Sequence, residues 1–210
     1  MDLAKIGQPV GSTLVTKDAF DDLTRRKGFT SPLQLTQPMS DAVTDPKVNA
    51  KPGEFIFNLD KNLGNKLDVI PLDYRPHAIQ LDNSKSVVAE TFAMDGTYDM
   101  IKQNCDNKVQ NYLSGLDFLV YIPAEDKFAV FFMYKTVLKG AAASMRDNIH
   151  KLVTLQSRIV EWKSYKWYVA DVIPSTLTEY NKPTDEALVK MVEEFKAATQ
   201  PVVSDDSRPR

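Results

Sequence analysis

The chain has 210 residues, 43% hydrophobic and 26% charged, with a formal net charge of −2. That length suits one well-buried domain with appendages or two small ones, and the charge excludes a uniformly basic, histone-like molecule. One cysteine, Cys105, excludes an internal disulfide, and no apolar run reaches the roughly 18 residues of a membrane-spanning helix.

The N-terminus, "MDLAKIGQPVGSTLVTK", has no apolar secretory core, so a soluble, cytoplasmic protein is expected. Residues 1–52 read as an extended N-terminal arm with one short helix in "KDAFDDLTRRKGF", acidic early, basic late and stopped by Gly28. Pro32, Pro38, Pro46 and Pro52 stud the rest of the arm, where large apolar residues are few.

From Phe55 the texture becomes β. "EFIFNL" and "KLDVIPLDYRPHAIQL" flank the turn-rich "DKNLGN" and predict a hairpin, with Pro71 and Pro76 marking an edge or a bulge in its second strand. "SVVAETFAM" predicts a third strand closed by Asp95-Gly96. "TYDMIKQNCDNKVQNYL" spaces Ile101, Cys105, Val109 and Leu113 as a helix does. "LDFLVYIPAEDKFAVFFMYKTVL" predicts two strands around "PAEDK".

Ala141, Met145, Ile149 and Val153 then form one helical stripe, and a single strand runs from Arg158 to Ile173. "TDEALVKMVEEFKAA" predicts a helix with a threonine cap and Leu188, Met191 and Phe195 on one side, leaving 176–210 as a C-terminal helix and flexible tail. The expected fold is β-rich α+β: an antiparallel, barrel-like sheet of about five to six strands over residues 53–175, with two or three accessory helices.

Chemistry-bearing constellations are scarce. His77 and His150 are the only histidines and lack metal-ligand spacing with Cys105, so no metal and no cofactor is expected. "DKNLGNKLD" fails as a calcium loop: its glycine is one place early, and Pro71 stands where the closing glutamate belongs. No phosphate loop, nucleophile elbow or zinc-protease motif occurs, so nothing calls for an enzyme; scattered carboxylates leave a small nuclease as an outside reading.

The exception is "VEWKSYKWY", which holds both tryptophans within six positions, with Lys163 and Lys166 between the rings. Read as one strand, it alternates Trp162, Ser164, Lys166 and Tyr168 on one face with Lys163, Tyr165 and Trp167 on the other. Core packing accounts for some of these rings, since aromatics are favoured in strands for packing alone. Rings left outside beside lysine suit single-stranded nucleic acid, where bases stack on π-faces and cations track phosphates. Tyr134-Lys135, Lys139 and Tyr74-Arg75 repeat the theme, and between Lys127 and Lys166 the only acids are Asp147 and Glu161.

With "GLDFLVYIPAEDKFAVFFMYKTVLKGAAASMRDNIHKLVTLQSRIVEWKSYKWYVADVIPS" at its centre, the stretch from about 53 to 175 resembles the phage-encoded single-stranded DNA-binding proteins of OB-fold type. The resemblance implies a five-stranded barrel core binding single-stranded DNA non-specifically during phage replication or recombination, inside the host cytoplasm. It also implies replication or recombination proteins as partners, although "VVSDDSRPR" lacks the strongly acidic tail such proteins often use for recruitment. The DNA-binding residues expected are Trp162, Lys163, Tyr165, Lys166, Trp167, Tyr134, Lys135, Lys139, Tyr74 and Arg75. On this reading the arm and last helix mediate self-association or partner contact; the alternative is a phage structural or host-interaction protein using the β-domain as a docking module.

Overall fold

In a computed structural model, residues 31–84, 86–134 and 139–197 are described. The helix expected before Gly28 and the tail after Ala197 lie outside them. Nine strands form one curled sheet: β1 (Ser31–Leu35), β2 (Phe55–Phe57), β3 (Lys61–Asn62), β4 (Lys66–Leu81), β5 (Val87–Thr91), β6 (Tyr112–Ile122), β7 (Lys127–Tyr134), β8 (Val153–Trp162) and β9 (Tyr165–Pro174). Among the described residues four helices accompany them: α1 (Asp41–Thr44), α2 (Gly96–Asp106), α3 (Lys139–Asp147) and α4 (Asp185–Ala197). The β-rich character is as expected, but the sheet is larger than five to six strands. None of the helices among the described residues is long and apolar enough to cross a membrane.

The strand order is β3-β2-β1-β7-β6-β4-β8-β9, with β5 added on β4. The β6–β7 hairpin forms as its apolar runs and "PAED" turn dictate, from Ile122↔Lys127 to Gly115↔Tyr134. Two expectations nearby are corrected. Part of the predicted arm is sheet, since β1 lies parallel to β7 and antiparallel to β2. Leu33 supplies the reason, being buried in the core with Phe55 and Phe131. The predicted hairpin of "EFIFNL" with "KLDVIPLDYRPHAIQL" does not form: β2 turns back on β3 within "DKNLGN", and β4 leaves to pair elsewhere.

β4 organises the molecule. It pairs β8 over Lys66–Val69, β6 over Ile70–Gln80 and β5 over Ala78–Leu81. Among the described residues, 71–77 therefore have only β6 as a ladder partner, and both prolines fall there, where a second row of N–H donors is not required. The expected bulge appears as a register shift between Pro71 and Asp73.

Alternation along β6 and β7 gives the sheet two apolar faces. Phe118, Val120, Ile122, Ala129, Phe131 and Met133 point into the curl, where α3 adds Ala141 and Met145. The helical stripe stops there, since α3 ends at Asp147 and Val153 already belongs to β8. Leu119 and Tyr121 point outward with Ile70 and Leu72, beneath Phe195 of α4. That helix starts as its sequence requires, with Thr184 Oγ1 accepting from the Ala187 N–H at 3.2 Å.

A side chain joins the end of β1 to the edge strand β9. Gln37, just past β1, donates from Nε2 to the Tyr168 carbonyl (3.0 Å) and accepts from the Tyr168 N–H at Oε1 (2.9 Å). The amide thus stands in for one residue of a neighbouring strand. Gly53 makes room beside it: with φ at +88°, it lies so close that an added Cβ would sit 2.3 Å from Tyr168 Cδ1.

Candidate nucleic-acid interface

The aromatic segment is a hairpin rather than one strand, which re-sorts its faces. The chain reverses at Lys163-Ser164, with Lys163 in the left-handed region at φ 56°, and pairs Trp162↔Tyr165, Glu161↔Lys166, Val160↔Trp167 and Ile159↔Tyr168. Directly paired residues share a face. Tyr165 and Trp167 therefore share one with Val160, opposite the face of Glu161, Lys166 and Tyr168, and the register sets position 162 across from Tyr165. The single continuous strand expected over this segment is therefore corrected to two paired strands joined at Lys163-Ser164.

β4 follows β8 only as far as Lys66↔Gln156, with one further bond from the Ser157 N–H to the Asn65 carbonyl (2.9 Å). Residues 158–168 consequently extend as a two-stranded ribbon past the end of β4. Tyr168 is taken up by packing over Gly53. Tyr165 and Trp167 are half-buried, and Trp167 Nε1 is enclosed without a hydrogen-bond acceptor.

The cations of the ribbon have acidic neighbours. Lys166 Nζ meets Glu161 Oε1 at 2.7 Å on the Tyr168 face, and Arg158 Nε meets Asp171 Oδ2 at 2.7 Å on the Trp167 face. The hydrogen bond from Lys166 to Glu161 raises the ammonium above its ordinary range, and Asp171 does the same for Arg158. Both pairs are exposed, so solvent screens them and little free energy opposes exchanging a carboxylate for a phosphate.

The other expected residues are elsewhere. From the Val69↔Val153 pair, Tyr74 lies five residues one way along β4 and Trp162 nine the opposite way along β8, roughly 45 Å of strand at ~3.3 Å per residue. Tyr74 is 42% exposed and leans on Phe118 with centroids 5.7 Å apart. Tyr134 is half-buried and packs on Phe132 (5.1 Å), and burial pushes its phenol up to about 12. Lys139 opens α3. Lys135 lies outside the described residues, as do the side chains of Lys139 and Trp162.

Arg75 is the clearest correction. It is buried, its Nε and Nη2 each 3.1 Å from Asp117 Oδ2, and its guanidinium lies between the rings of Phe92 (3.9 Å) and Phe195 (4.4 Å). Asp117 Oδ1 accepts from His77 Nδ1 at 2.8 Å, and His77 Nε2 reaches Glu90 Oε1 at 3.0 Å. This buried chain of Arg75, Asp117, His77 and Glu90 was missed in the sequence. Its signals were a lone aspartate inside the apolar run "LDFLVYI" and Arg75-Pro76-His77, two cations two apart on one strand face.

Burial alone would lower the His77 pKa, but Asp117 and Glu90 outweigh it and raise it to about 9, so the ring is a cation at neutral pH. Burial would likewise raise Asp117, yet His77 and Arg75 hold its carboxyl below the usual range. Two cations and two anions then balance. Both imidazole nitrogens are occupied by carboxylates and the ring is 4% exposed, so this histidine has no nitrogen to offer a substrate. Among the described residues no group of three or more His, Cys, Asp or Glu side chains is placed to hold a metal ion. No family model, no curated protein and no solved structure matches the chain.

Proposed function

We propose that the protein binds single-stranded DNA without sequence preference through the β8–β9 ribbon. The observation that carries this reading is a hairpin that runs past β4, with Tyr165 and Trp167 on one face of its second strand and Lys163 at its turn. Bases stack on the rings, while Lys163 and Lys166 neutralise phosphates. The ring of strands β1, β7, β6, β4, β8 and β9, joined by Gln37, is in keeping with a barrel of the oligonucleotide-binding kind. The work expected of such a protein is non-enzymatic protection of single strands in phage replication or recombination, in the cytoplasm of the host.

Titrating oligo-dT into the protein tests this. Tryptophan fluorescence is expected to be quenched, with affinity falling steeply as salt rises because bound phosphates release counterions. Equal affinity for duplex and single strand without quenching overturns the reading.

The second reading, a docking module for another phage or host protein, is favoured by one observation: Ile159, Ile173 and Leu177 are exposed while Arg158 and Lys166 face acids of their own chain. Retention of purified virions, and not of single-stranded DNA, on immobilised protein decides for it.

A further inference from the structure

The last turn of α4 is fastened to the sheet in an unusual manner. A helix ends in carbonyls with no intrahelical donor, usually satisfied by water or a following glycine turn. Here the Phe195 carbonyl takes its hydrogen bond from Arg75 Nη1 at 2.9 Å, a guanidinium rooted in β4. The Phe195 ring lies against that same guanidinium and is itself buried over Ile70, Leu72, Leu119 and Tyr121. Helix end, ring and cation form one fastening.

Arg75 is not held by α4 alone. Asp117 of β6 holds it from the other side, His77 holds Asp117, and Glu90 of β5 holds His77. The histidine ring is fixed between Phe92 (4.5 Å) and Phe132 (4.4 Å), so it cannot turn away from its carboxylates without disturbing Phe92, which also covers Arg75. Elsewhere α4 is lightly attached: Leu188, Met191 and Val192 are only partly buried, and the exposed Lys196 reaches a half-buried Asp73.

We propose that α4 is a pH-sensitive latch, whose C-terminal turn is held by the Arg75–Asp117–His77–Glu90 chain and released when His77 loses its proton, uncovering the apolar face of Ile70, Leu72, Leu119 and Tyr121. With His77 charged, the chain is neutral and every imidazole N–H has an acceptor. With His77 neutral, one ring nitrogen presents a lone pair to a carboxylate, and the buried cluster carries a net negative charge. Asp117 then draws harder on Arg75, which is the group clasping Phe195. The groups facing His77 are Asp117, Glu90 and, through Asp117, Arg75; burial keeps the nearby Tyr134 phenol neutral up to about 12. His77 is raised to about 9, which places the opening above neutral pH. The latch is independent of what the β8–β9 ribbon binds.

Trypsin cleavage of the full chain after Lys190 and Lys196, normalised to a small peptide substrate at each pH, reads the opening. Between pH 7 and pH 10 the wild-type rate is expected to rise about tenfold while the β-sheet circular dichroism is unchanged. His77→Gln, which carries no charge at any pH, is expected to be cleaved at the raised rate already at pH 7 and to show no pH response. Asp73→Asn, which removes the charge that Lys196 pairs with and leaves an oxygen for the Tyr74 N–H, is expected to keep the wild-type response. A wild-type rate that is flat across this range, or that rises only in step with loss of sheet signal, overturns the latch. So does a pH response retained in His77→Gln.

Discussion

Tyr165-Lys166 and Tyr74-Arg75 are the same chemical pair in sequence, a phenol followed by a cation on a strand. The first lies on the ribbon past β4, where Lys166 meets Glu161 in open solvent. The second lies on the central strand, where Tyr74 covers Phe118 and Arg75 turns to the opposite face under α4. What separates them is depth, which composition does not encode. In solvent a cation beside an acid keeps its freedom to choose a phosphate; inside, the cost of stripping its water commits it to one carboxylate.

The sharpest way to break this contrast is Asp117→Ala. It leaves Arg75 and His77 buried without their shared anion, and urea denaturation is expected to show a loss of about 3–5 kcal/mol. The equivalent surface change, Glu161→Ala, is expected to leave the urea midpoint nearly unmoved.

Alkali is the next largest effect. The folded pKa of His77 stands above its unfolded value, so its contribution is complete below about 6.5 and disappears as pH rises toward about 9. Stability measured across that window is expected to fall by on the order of 3 kcal/mol in wild type, and by much less in His77→Gln. An equal decline in both would mean that His77 is not the titrating group.

On the ribbon, Trp167→Ala and Tyr165→Ala are each expected to weaken oligo-dT binding by about 1–3 kcal/mol, whereas Tyr74→Ala leaves it unchanged. A Tyr74 effect as large as that of Trp167 would contradict the separation of the two sites. Gln37→Ala, which removes two hydrogen bonds to the Tyr168 backbone at about 1 kcal/mol each, is expected to lower the thermal midpoint.

Elements whose signals are local were legible. The β6–β7 hairpin follows from two apolar runs around "PAED", and α4 from Thr184 with acids in its first turn. β1 was not legible, because a five-residue strand opening on Ser31-Pro32 owes its existence to a parallel partner about a hundred positions away, and such pairing leaves no local trace. The β8–β9 turn was hidden for a different reason. Lys163-Ser164 contains no glycine, asparagine or proline, although Lys163 takes a backbone conformation that glycine would enter without strain. That one omission turned two paired strands into one and, with it, changed the make-up of the candidate site. The charge chain was illegible as a unit, since Arg75, Glu90 and Asp117 meet only after β4, β5 and β6 have paired.

Gln37 also bears on how this protein keeps to itself. A sheet edge with open N–H and C=O groups recruits strands from other molecules, and β9 has no strand on its outer side among the described residues. One amide blocks that edge at Tyr168, midway between the hairpin tip and the body of the sheet. Removing it would leave a straight run of backbone for a second chain to align with, so concentrated Gln37→Ala should form linear, edge-joined assemblies that the wild type resists.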